Sequence, residues 1–144
     1  MTATADASFL VSLYGVDVNT PAARVWMQAA ATPVLLTEAL RFETENALRL
    51  AHFRGKITGA ELQQALTEIE SDLALGILIA EDISTAALWP ECRRLSAAHT
   101  LALGSRTYDI THVAGALILG ADTFLSFDQR QRTLAAAVGL TVAP

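Results

Sequence analysis

Short, nearly unbroken apolar runs recur along this chain, and longer segments with helically spaced apolar residues follow them. The runs lie at residues 2–5, 33–36, 77–80, 123–127 and 140–143. Strands covered on both faces carry continuous runs of this kind, whereas half-exposed strands alternate polar and apolar residues. Strands that alternate with helices build βαβ units around a parallel sheet. The pattern therefore predicts an α/β fold with a mostly parallel central sheet of four to five strands. At 144 residues, one domain spanning 1–144 is the expected organisation.

Helices are expected at about 8–14, 20–30, 38–53, 58–74, 84–102, 108–119 and 129–138. Pro21 suits the first turn of the second of these, where its missing N–H has no partner to lose. Thr58 with Glu61 three residues later has the spacing of a capping box. Pro90 is expected to break the helix that starts near Ser84, because a proline ring clashes with the preceding turn.

Composition narrows the classes. Hydrophobic residues make up 52% and charged residues 17%, the opposite of a disordered chain. The longest apolar runs, 73–80 and 113–121, fall far short of the ~20 residues that span a bilayer. The N-terminus has no basic region and places Asp6 early, unlike a secretory signal. Cys92 is the single cysteine, which excludes an internal disulfide and a cysteine zinc cage. His52, His99 and His112 lack the i, i+4 spacing of a zinc helix. A reducing, cytoplasmic location is the expectation, with no membrane association. The net charge of −5 argues against binding nucleic acid by bulk electrostatics. Nine of the ten basic residues are arginine, which suits bidentate contacts to phosphate or carboxylate, although a compositional bias of the genome gives the same count.

Four carboxylates stand out by position. Asp6 closes the first expected strand and opens a helix. Asp128 does the same after the fourth strand, and Asp109 lies in the first turn of its helix. Strand C-termini and the following helix N-termini share one edge of a parallel sheet, and ligands bind there. Taken singly, each aspartate also reads as an N-cap or an acid favoured by the helix dipole. Glu43 is harder to read as structural. It falls on the stripe Leu36, Leu40, Glu43, Ala47 and Leu50, whose steps of four and three keep one helix face. Asn46 lies beside it. A carboxylate on a buried face needs a partner or a metal, and no basic residue shares the stripe. Arg41, Glu45 and Arg49, at i, i+4 spacing, are expected to pair on another face. Four converging acids repel one another without a cation, and oxygen ligands suit Mg2+ or Mn2+. Such a site suits phosphoryl chemistry. Setting the four acids aside brings the formal charge from −5 to −1, so phosphate contact through metal needs no basic patch.

These features resemble the PIN domain family, and within it the VapC-like toxins of bacterial toxin–antitoxin pairs. ADASFLVSLY at 5–14 is similar to the family's opening strand, acid and helix. LRFETENALRL at 40–50 resembles its second-acid helix, with Glu43 as the acid and Asn46 at the accompanying polar position. Residues 107–140 are similar to the segment of the third and fourth acids, Asp109 and Asp128. Ser126 matches the small hydroxyl residue two positions before the fourth acid. The resemblance implies a three-layer fold and a ribonuclease that uses Mg2+ or Mn2+ held by Asp6, Glu43, Asp109 and Asp128. It further implies an RNA substrate, a homodimer and a cognate antitoxin partner.

Arg106, Arg130 and Arg132 flank the acids and are candidate RNA-phosphate contacts, with ordinary surface salt bridges as the alternative. Trp26 and Trp89 either stack on bases or pack. Residues 58–103 carry no motif of the family. The opposing functional reading is a non-catalytic PIN-like module that binds RNA or protein. A phosphatase is disfavoured, because no DxD pattern or matching lysine accompanies Asp6.

Overall fold

A computed structural model of the chain describes residues 1–144. The chain runs β1 (Ala3–Ala5), α1 (Ala7–Tyr14), α2 (Thr20–Ala30), β2 (Val34–Thr37), α3 (Glu38–Phe53), α4 (Gly59–Ala74), β3 (Leu78–Glu81) and α5 (Thr85–Leu95). A π-helical turn at Ser96–Thr100 and the short α6 (Leu101–Leu103) follow. The chain closes with α7 (Thr107–Ile118), β4 (Thr123–Leu125), α8 (Gln129–Ala137) and β5 (Thr141–Ala143).

The strands form one sheet in the order β3-β2-β1-β4-β5, and every neighbouring pair is parallel. Because successive strand residues point to opposite faces, the sheet feeds two cores. Leu125 joins the first, with Phe9, Leu10, Leu40, Leu48 and Ile69. Phe124 joins the second, with Leu95, Val113, Ala114 and Leu134. Helices α1–α4 therefore cover one face and α5, α7 and α8 the other, which makes three layers. Phe9 is fully buried, meets Trp26 edge-on at 6.0 Å and stacks on Phe127 at 5.8 Å. Its burial alone is worth ~1.5–3 kcal/mol. Trp26 is thus a packing residue.

Local expectations hold at most helix starts. Pro21 sits in the first turn of α2, and Thr58 and Glu61 form a reciprocal capping box. The break expected at Pro90 does not occur. Helix α5 runs through it to Leu95. The proline deprives only the carbonyl of Ala86, an exposed residue that meets water. The irregularity comes one turn later, in the π-helical turn. Gly104, at φ 65, adopts the left-handed conformation that glycine takes without strain and turns the chain into α7.

The topology decides where a site can form. The chain winds from β1 through β2 to β3, then returns to place β4 on the other side of β1. In such sheets the crevice beyond the strand C-termini, where the order reverses, is the ligand-binding position. Here that crevice lies between β1 and β4. Parallel register aligns Ala5 with Leu125, so Asp6 and Ser126 leave adjacent strands side by side. No helix is long and apolar enough to cross a membrane.

Candidate active site

Asp6 is the N-cap of α1 and only 3% exposed. Its Oδ1 accepts from the Ser8 hydroxyl at 2.6 Å and from Phe9 N–H at 3.1 Å. Its Oδ2 accepts from the Ser126 hydroxyl at 2.6 Å. Burial raises the Asp6 pKa above the ordinary carboxylate value, against the pull of the Ser126, Ser8 and Phe9 hydrogen bonds and of nearby His112. Three donors aimed at one buried carboxylate orient it firmly.

The two serines also tie β1 to the start of α8. Ser8 Oγ accepts from the N–H groups of Phe127 and Asp128, at 2.9 and 3.2 Å. Ser126 Oγ accepts from Asp128 N–H at 3.0 Å. Asp128 caps α8 through Oδ1, which accepts from Arg130 N–H at 2.8 Å and Gln131 N–H at 3.4 Å. Sequence reading singled out Ser126 and missed Ser8. Its signal was a hydroxyl two residues after a strand-ending acid.

Asp109 is buried in the first turn of α7. Its Oδ2 accepts from the backbone N–H of Arg106 at 3.1 Å and from the guanidinium Nε at 3.2 Å. The guanidinium also faces Asp128 Oδ2 at 3.8 Å. Arg106 thereby spans two of the expected acids, and the hydrogen bond and charge of Asp109 raise its pKa further. From the other side, Gln131 Nε2 donates to Asp109 Oδ1 at 3.3 Å.

Glu43 reaches the same rim by a different route. The buried line of α3 is Leu40, Thr44 and Leu48, not the stripe expected through Glu43. The Glu43 side chain is 36% exposed at the margin of that line, and Leu50 and Asn46 face outward. Packing of α3 on α1 and α4 rotates the helix by about one residue from the sequence reading. Glu43 nevertheless has a partner, because it hydrogen-bonds Nε2 of His112 on α7. The His112 side chain is 2% exposed and its ring meets Tyr108 at 5.9 Å. This contact, absent from any local pattern, joins helices from opposite faces of the sheet. The structure does not bring Asn46 into the cluster.

The three arginines separate. Arg106 is paired within the site. Arg132 donates to the backbone carbonyls of Ser126 and Pro144, at 2.7 and 2.9 Å, and so clamps the ends of β4 and β5 together. Both bonds use Nη1 and give Arg132 a structural role at this edge of the sheet. Arg130 is exposed and makes no side-chain ion pair. On the far side of α3, Arg41, Glu45 and Arg49 pair as expected. Trp89 is 46% exposed.

The donor set at the rim consists of carboxylates and hydroxyls, which suits a hard divalent cation rather than zinc. Asp109 and Asp128 share one positive group, the Arg106 guanidinium. Asp6, Asp109 and Asp128, with Glu43 near Arg106, are the carboxylates that would hold a cation there. In the present arrangement no three of the Asp, Glu, His or Cys side chains stand close enough to form a metal-binding group.

The PIN domain family model matches residues 3–137. The chain belongs to the PIN domain family. No curated protein sequence matches it. Among solved structures, it is similar to VapC20 of Mycobacterium tuberculosis, described as a sarcin–ricin loop cleaving toxin. That match has 18% identity and a TM-score of 0.71, and covers 99% of this chain and 100% of the other. It is also similar to PAE2754 of Pyrobaculum aerophilum, at 16% identity and TM-score 0.65, covering 99% and 89%. FitAcB of Neisseria gonorrhoeae is similar at 17% identity and TM-score 0.65, covering 99% and 97%. At these identities the likeness establishes the fold.

Proposed function

We propose that this chain is a VapC-like toxin: a metal-dependent endoribonuclease that hydrolyses RNA phosphodiester bonds at Asp6, Glu43, Asp109 and Asp128. The observation that carries the reading is the linkage of Asp6, Asp109 and Asp128 at the β1/β4 crevice through Ser8, Ser126 and Arg106. Family membership and the toxin name of a similar structure, VapC20, support it.

Asp6, Glu43, Asp109 and Asp128 would hold Mg2+ or Mn2+, which would supply Lewis-acid chemistry for hydrolysis of the phosphodiester. The chain's own residues then have distinct tasks. Ser8 and Ser126 hold Asp6 in one rotamer. The N-cap geometry of α8 fixes Asp128, and His112 sets the carboxylate of Glu43. Arg130, and Arg106 once released from the acids, are the guanidinium groups placed to meet RNA phosphates.

The reading extends to a cytoplasmic homodimer neutralised by a cognate antitoxin. Phe42 and Phe53 of α3 are 63% and 85% exposed, apolar surface that a second copy would cover. The test is cleavage of end-labelled tRNA, rRNA stem-loops and mRNA in Mg2+, Mn2+ or EDTA, with Asp109→Asn as control. Discrete, metal-dependent cuts that vanish in the variant uphold the reading. Intact RNA in every lane, with no thermal stabilisation by millimolar Mn2+, would instead identify a non-catalytic binding module.

A further inference from the structure

Gln131 lies in the first turn of α8, is 3% exposed, and belongs to no motif of the sequence analysis. Its position joins two of the acids. Its backbone N–H donates to Asp128 Oδ1 at 3.4 Å, and its side-chain Nε2 donates to Asp109 Oδ1 at 3.3 Å. A carboxylate only accepts, so Asp109 dictates which end of the amide faces it. The other end, Oε1, is buried and has no hydrogen-bond partner. Amide geometry keeps Oε1 within about 6 Å of Asp109 Oδ1. A buried carbonyl oxygen without a donor is costly and calls for an explanation.

We infer that Gln131 is a positioning residue for a divalent cation, holding Asp109 through Nε2 on the carboxylate oxygen that Arg106 does not occupy. The inference rests on the divalent site proposed above. The unpaired Oε1 is the cost of turning Nε2 toward Asp109, and the neutral amide fixes that acid without adding negative charge to the crowded carboxylates. Groups that orient metal ligands from behind commonly set affinity by about 10-fold or more.

The experiment is Mn2+ titration of the purified protein, read by electron paramagnetic resonance of the free ion, together with melting curves with and without Mn2+. Three proteins are compared: wild type, Gln131→Leu and Gln131→Glu. Gln131→Leu should bind Mn2+ about 10-fold more weakly, while its melting temperature without cation stays equal or rises because the orphan oxygen is gone. Gln131→Glu should melt lower than wild type without cation, from repulsion against Asp109, and gain more from Mn2+ than wild type does. A purely structural role moves melting temperature but not affinity. Wild-type affinity in Gln131→Leu, or a Gln131→Glu deficit that Mn2+ does not repair, overturns the inference alone. Absence of Mn2+ binding by wild type overturns it together with the divalent site.

Discussion

Ser126 donates its hydroxyl to Asp6 Oδ2 at 2.6 Å, joining residues 120 positions apart. The bond exists because β1 and β4 are parallel neighbours in register, so each strand delivers its next residue to the same edge. Removing it by Ser126→Ala also strips Asp128 N–H of one of its acceptors. The expected loss is ~1.5–3 kcal/mol, typical of a hydrogen bond to a charged group. A urea midpoint equal to wild type would contradict this account.

Asp6 is stabilised in its protonated form by burial, so its folded pKa lies above the ordinary 3.8. Such a group contributes its full stability below the unfolded pKa and loses it as pH rises through the folded value. Asp6→Asn, measured in EDTA, should therefore be more stable than wild type at neutral pH, and its advantage should shrink toward acid pH. The same variant should not cleave RNA. A stability difference that stays flat with pH would rule out burial as the cause.

Arg106 occupies Asp109 and Asp128 in the position a cation would need. Arg106→Ala should bind Mn2+ several-fold more tightly than wild type in low salt, because no guanidinium has to be displaced. Calorimetric titration measures this directly. Unchanged affinity would mean that the arginine and the cation do not compete.

The Glu43–His112 contact predicts energetic coupling between helices on opposite faces of the sheet. A double-mutant cycle with Glu43→Gln and His112→Asn should give a coupling energy of ~0.5–3 kcal/mol. Additive single-variant losses in guanidinium denaturation would show that the pair is incidental.

Tyr14 on α1 donates to Asp72 on α4 at 2.6 Å. Burial, the Asp72 hydrogen bond and the Asp72 charge all push its pKa far above 10.0. Its contribution is present below pH 10.0 and is lost as pH rises beyond that unfolded value. Tyr14→Phe should be less stable than wild type by ~1 kcal/mol at neutral pH and should lose less stability in alkali. Parallel alkaline denaturation curves would disprove the assignment.

Local signals were enough to find Asp6, Asp109 and Asp128, since each sits where a strand ends or a helix begins, and caps are chosen by adjacent residues. The boundaries of α1, α3 and α4 were readable for the same reason: periodicity and capping act over a few positions. Glu43 was found through a stripe that proved to be the margin of the buried face rather than its centre. Asn46, read as lying beside Glu43, is exposed. Periodicity says which residues share a face, but contact with α1 and α4 sets the rotation of that face.

The sequence by itself determined a parallel α/β sheet and the placing of three aspartates at its carboxyl edge, because apolar runs and helix caps are short-range features. Tertiary structure alone decided the strand order that opens the crevice between β1 and β4. It also decided the pairing of Glu43 with His112, the span of Arg106 across two acids, the clamping role of Arg132 and the orphan oxygen of Gln131. Those contacts depend on which strands become neighbours and how helices rotate against them. Both outcomes come from burying the two cores together, and no window of adjacent residues encodes them.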